Sequence, residues 1–242
     1  MKMDIKISGS GIISAGEYDS VLISGSAKVD GNVKCQKITC SGSIKAEADI
    51  VCENTIKISG GAKFSKSISA GGVYVSGSLK CGSLTAKNEI EISGSAKVES
   101  KIKCTDLVLS GSTSVKDGIE AEDVKIYGGI KCDGLLNAEK IEMDANGGIN
   151  VDSIGGGEIR IYPRRNRNRS ILRLPLLSSL VSGDKANVGT IEGDVIALEN
   201  VMCKSVKGRI IAIGEGCKVD FVQYSEEIEI NPKAEVVRYE KV

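Results

Sequence analysis

The sequence has no histidine and no tryptophan, and only 2 phenylalanines, 6 tyrosines and 3 prolines in 242 residues. Without histidine the chain lacks the commonest general base and a frequent metal ligand. Without large aromatics, any core must be filled by Ile, Val, Leu, Ala and Cys, which points to a narrow core or to no single core. Charge of one sign is also missing: 32 Lys+Arg balance 32 Asp+Glu, so whole-molecule attraction to nucleic acid or acidic lipid is not expected, although a local patch can act. No apolar run approaches the ~18 residues that span a bilayer. Met1–Ile7 alternates charged and apolar residues and has no leader-like apolar stretch. The eight cysteines (Cys35, Cys40, Cys52, Cys81, Cys104, Cys132, Cys203 and Cys217) are therefore expected as reduced thiols in a cytoplasmic protein.

What is abundant is glycine, at 29 residues, and it is periodic. ISGSAKV at Ile23–Val29 returns intact at Ile92–Val98, with variants beginning at Cys40, Ile58, Val75, Leu109 and Ile126. The first glycine of each falls at Gly25, Gly42, Gly60, Gly77, Gly94, Gly111 and Gly128, in steps of 17 or 18. Four and two places before it every residue is apolar, from Val21/Ile23 to Val124/Ile126. Two and four places after it stand pairs such as Ala27/Val29 and Ala96/Val98, with Thr113 the one polar exception. A third pair follows at eight and ten, as in Val33/Cys35 and Ile102/Cys104, slipping by one to Leu84/Ala86.

Three i, i+2 apolar pairs per seventeen residues, separated by polar corners, read as three short strands. Hairpins would need longer strands and stronger two-residue turn signals. The spacing predicts an all-β fold, a parallel β-helix of one roughly triangular turn per repeat, like positions stacking at ~4.8 Å. The pattern itself does not reveal handedness. It holds over residues 1–162 and returns over 186–242 with about three further turns, Ile196, Ile211 and Ile228 lying 15 and 17 apart. Between them, 163–185 does not match.

No pattern points to catalysis, a cofactor or a metal site: CxxC-type clusters are absent, and Cys35, Cys40, Cys52, Cys81, Cys104 and Cys132 occupy inward phases where a thiol behaves as a small hydrophobe. Lys28, Lys45, Lys63, Lys80, Lys97 and Lys131 recur three places after the glycine, broken by Ser114. They make either a track for a polyanion or membrane surface, or, more plainly, a solvated edge relieved by Asp30, Glu47, Glu99 and Asp133. Ser24, Ser41, Ser59, Ser76, Ser93 and Ser110 read as a polar corner. In the unmatched segment Arg164, Arg165, Arg167, Arg169 and Arg173 run into Leu174, Leu176 and Leu177. Three readings stay open there: a peripheral membrane element, a surface loop, or a flap on the shaft. Pro163 and Pro175 argue against one long helix. A β-helix without capping helices leaves open ends that add to one another. The contact candidates are Ile5, Ile7, Ile12 and Ile13 at one end and Val236, Val237 and Tyr239 at the other.

The opening SGSGIISAGEYDSVLISGSAKVDGNV, the middle GGIKCDGLLNAEKIEM and GGGEIRIY, and the closing TIEGDVIALENV and IGEGCKVDFVQY resemble the bactofilins. These are bacterial cytoskeletal proteins, and the similarity is greater to their longer relatives from spore-forming Gram-positive bacteria. The resemblance implies a right-handed parallel β-helix that polymerises through its ends without nucleotide or other cofactor. It also implies a scaffold at the inner membrane surface for envelope, shape or sporulation factors, with the protein itself as first partner and no nucleic acid. The chain is about twice the length of short bactofilins, carries the Arg-rich insert and lacks Pro-rich tails. Two rivals differ in class. A hexapeptide-repeat acyltransferase would need a catalytic histidine, which is missing. A non-polymerising β-helical adaptor at the membrane surface, akin to the β-helical half of a division-site inhibitor, would have the same pattern.

Overall fold

A computed structural model describes residues 3–164 and 185–242. All 22 regular elements among them are strands, from Met3–Ile7 to Glu235–Lys241, joined in one sheet whose pairings are parallel. The chain winds as a β-solenoid of about 13 turns. Rungs fall where the repeat places them: Val21 pairs with Ile38, Ile38 with Ile56, Ile56 with Val73, Val73 with Ile90, and so on through Leu107 and Val124. The one-residue slip at Leu84 is real and is absorbed at its corner, since Leu84 pairs with Ile68 below and Ile102 above.

Three sides result. The first carries Val21/Ile23 and their equivalents, the second Ala27/Val29, the third Val33/Cys35. Along each strand burial alternates, as in Ser95–Val98, where Ala96 and Val98 are buried and Ser95 and Lys97 exposed. Period-two alternation thus sends one apolar residue in for each one that faces solvent. Burying an Ile or Val in this way contributes about 1.5–3 kcal/mol relative to leaving it exposed, and the core cluster is one continuous column from Ile7 to Val222. Phe64, on the second side, is wholly enclosed, opposite Ala46 in the turn before it. Thr113 is the only polar side chain in the core among the described residues, and its Oγ1 has no partner there.

Strands are not uniformly short. In the middle they are separate pieces of three or four residues, whereas Ser10–Ile23, Gly129–Asp144 and Ile149–Tyr162 bend around several sides without a break. The coil continues in register across the unmatched segment, with Asn150 opposite Asn187, Ile154 opposite Ile191 and Ile161 opposite Leu198.

Candidate functional site

The two ends of the column differ. In the penultimate turn the inward residues Ile211, Ile213, Cys217, Val219 and Val222 are at most 1% exposed. Their partners in the last turn (Ile228, Ile230, Val236 and Tyr239) continue the inward phase but have no further strand over them among the described residues. The first three are half-buried, and Tyr239 is 56% exposed. Val237, facing outward beside them, is 80% exposed. Among the described residues the strand Glu235–Lys241 pairs on one side only, which leaves its other edge open.

At the other end Ile12 is exposed and Ile5 half-buried, but Ile7 and Ile13 are buried in the first turn, so Ile13 offers no surface to a partner. Tyr18 is buried in the same turn: its ring lies against Gly16 and its hydroxyl donates to the Ser14 carbonyl at 2.8 Å. The sequence held a signal for it, since Tyr18 takes the inward phase held by Cys35 and Cys52 above it. Among the described residues nine large hydrophobics are exposed, and five of them, Met3, Ile12, Val237, Tyr239 and Val242, lie in the first or last turn.

On the second side the lysines do stack, Lys28 on Lys45, Lys45 on Lys63, Lys63 on Lys80 and Lys80 on Lys97. Several lean toward the acids two places on: Lys45 reaches Glu47 at 3.0 Å, Lys80 and Lys97 share Glu99 at 2.9 and 3.3 Å, and Lys131 reaches Asp133 at 3.2 Å. Hydrogen bonding from Lys45, then its charge and those of Lys28 and Lys63, holds the Glu47 carboxyl below the usual range. Such exposed pairs add little stability. The serine corner uses its backbone between turns, as where Ser93 and Gly94 donate to the Val75 carbonyl at 2.8 and 3.1 Å.

All eight cysteines are buried free thiols. Burial pushes Cys81, Cys104 and Cys203 up to about 12, so they stay protonated. Cys52 moves down instead, because the thiol of Cys35 on the adjacent rung hydrogen-bonds to it. No group of three or more His, Cys, Asp or Glu side chains among the described residues could hold a metal ion.

Of the basic insert, Arg164 is described: its backbone N–H donates to Asp144 Oδ1 at 3.1 Å and its guanidinium stacks on the Tyr127 ring, 4.6 Å from the centroid. Arg165, Arg167, Arg169, Arg173, Leu174, Leu176 and Leu177 lie outside the described residues. No helix among the described residues is long and apolar enough to cross a membrane.

Comparison with known proteins agrees with the coil. The family model described as bactofilin, polymer-forming cytoskeletal, matches residues 42–115 and, overlapping, 67–154. The uncharacterized protein YhbE of Bacillus subtilis is 32% identical over 110 residues, 44% of this chain and 42% of that protein. YhbF from the same organism is 29% identical over 106 residues, 43% of this chain and 40% of its own length. The matched part thus spans about two fifths of these relatives. No solved structure is a significant match. The regular turns between residues 42 and 154 thus match the bactofilin family of polymer-forming cytoskeletal proteins.

Proposed function

We propose that the protein is a non-enzymatic scaffold that assembles end to end without nucleotide and organises envelope, shape or sporulation factors beside the inner membrane. The family match supports the polymer-forming cytoskeletal part. The observation that supports end-to-end contact is the uncovered last turn, where Ile228, Ile230, Val236 and Tyr239 continue a buried column into solvent. A second chain stacked there would bury these residues and pair the free edge of Glu235–Lys241 in one step. Eight free thiols suit a cytoplasmic location. The membrane part rests on the sequence of the segment opening at Arg164, whose clustered arginines and leucines suit anionic headgroups and the interface.

A second reading is favoured by Tyr18. With Tyr18 buried beside Ile7 and Ile13 in the first turn, contact through the C-terminal end alone would give a dimer, and the protein would act as a non-polymerising adaptor. Negative-stain electron microscopy and light scattering of purified protein without ATP or GTP separate the two. Filaments are expected, and Tyr239→Glu should shorten or abolish them. Dimers that Tyr239→Glu splits would establish the adaptor, and a wild type monomeric at micromolar concentration would remove both.

A further inference from the structure

The second side of the coil carries a feature that end-to-end assembly does not use. A shallow trough of about 1020 Å³ runs along it from Ser10 to Ser112, crossing seven strands. Six steps at ~4.8 Å make it ~29 Å long. One margin is a column of small residues, Ser26, Ser43, Gly61, Ser78, Ser95 and Ser112, in register with each other. The other is the lysine column from Lys28 to Lys97, with Ile12 below it and Ser114 above. Each of the five inner strands therefore presents a hydroxyl or glycine and, two residues on, an ammonium group.

Three observations narrow the occupant. The acids that pair with lysines stand beyond them, away from the serines, so no residue lining the trough is acidic. Lys28 and Lys63 have no ion pair among the described residues. The sheet backbone below is spent on its own rungs, so the trough offers only side chains: hydroxyls, which donate and accept, and ammonium groups, which only donate. A peptide strand would find no free backbone edge to pair with. A chain of acceptors with a charge at every short interval would match both columns. No lining residue is aromatic, so nothing here stacks a base.

We propose that this trough is a docking track for a linear phosphate polymer, held along its length by alternating lysine ammonium groups and serine hydroxyls. Its repeat follows from the coil itself: one cation per strand gives a charge spacing of ~4.8 Å, short enough for successive phosphates to find successive lysines. The flanking acids Glu47 and Glu99 orient Lys45, Lys80 and Lys97, and these weak exposed pairs yield readily to a competing polyanion.

Isothermal titration calorimetry with long-chain inorganic polyphosphate tests this on the full chain. We expect saturable binding whose affinity falls steeply as salt is raised, because bound cations leave the polymer. The double variant Lys28→Gln, Lys63→Gln should weaken binding about tenfold. Lys34→Gln with Lys37→Gln removes the same charge from other sides of the coil and should leave binding unchanged. All four lysines are exposed, so folding is not at stake. The proposal is overturned if polyphosphate does not bind, if both double variants lose equally, or if anionic vesicles bind the protein while polyphosphate does not, which would make the track a lipid-facing surface.

Discussion

A thiol inside a shaft a few side chains wide acts first as a hydrophobe, and its acidity then becomes a property of the fold. Cys81, Cys104 and Cys203 are pushed from the ordinary 9.0 up to about 12, mainly by burial. A group whose folded value is raised contributes its stability fully below the unfolded value and loses it as pH climbs toward the folded one. The window is therefore from about 9 to about 12. Within it each such thiol removes up to about 1.4 kcal/mol per pH unit as the unfolded chain ionises and the folded one does not. We expect urea midpoints that fall steadily above pH 9, and a Cys81→Ala variant whose slope is shallower by one proton. An unchanged slope would mean that Cys81 ionises inside the fold. The inward phase of Cys81 and Cys104 was legible in the sequence from the i, i+2 pairs alone, whereas Cys203 lies where the repeat is altered. Tyr18 shares that inward phase, but the hydroxyl that turns back to Ser14 is something periodicity does not encode.

At the level of the turn, the seventeen-residue spacing located the corners but not the reason for glycine in them. At Gly94 an added Cβ would sit 2.0 Å from the Gly77 carbonyl oxygen and 2.4 Å from that of Ser76. Both are backbone atoms fixed by rungs on either side of the corner, with Ser95 N–H donating to Gly77 O at 2.9 Å. Nothing flexible can yield, so the corner stack must open. Gly94→Ala should cost more than about 3 kcal/mol, whereas Ser93→Ala at the exposed neighbouring position should stay within about 0.5 kcal/mol. Urea denaturation of the two variants checks this, and equal effects would show that the corner relaxes. The third side has its own glycine stack at Gly156, Gly193 and Gly208, in register where earlier turns hold alanines such as Ala138. The repeat had faded there, and the sequence alone left these glycines unassigned.

For the molecule as a whole, a coil whose turns touch only their neighbours tolerates an insertion at a corner, provided the chain re-enters in register. The stretch from Tyr162 to Ala186 obeys that condition: Ile149–Tyr162 ladders onto Ala186–Leu198 on all three sides, through Val151/Val188, Ile154/Ile191 and Ile159/Ile196. Elsewhere the same corner needs two residues, Tyr127 and Gly128, or the four from 145 to 148. The mismatch at 163–185 was visible in the sequence because periodicity stops and restarts there, but whether the halves form one stack depends on register, which composition does not carry. A variant in which four residues replace 163–185 should therefore keep its β-rich circular dichroism and melt within a few degrees of the parent. If the arginines and leucines are a membrane element, the same variant should lose co-sedimentation with anionic vesicles. Collapse of the melting transition would instead make the segment a structural flap, and undiminished sedimentation would move membrane contact to another surface.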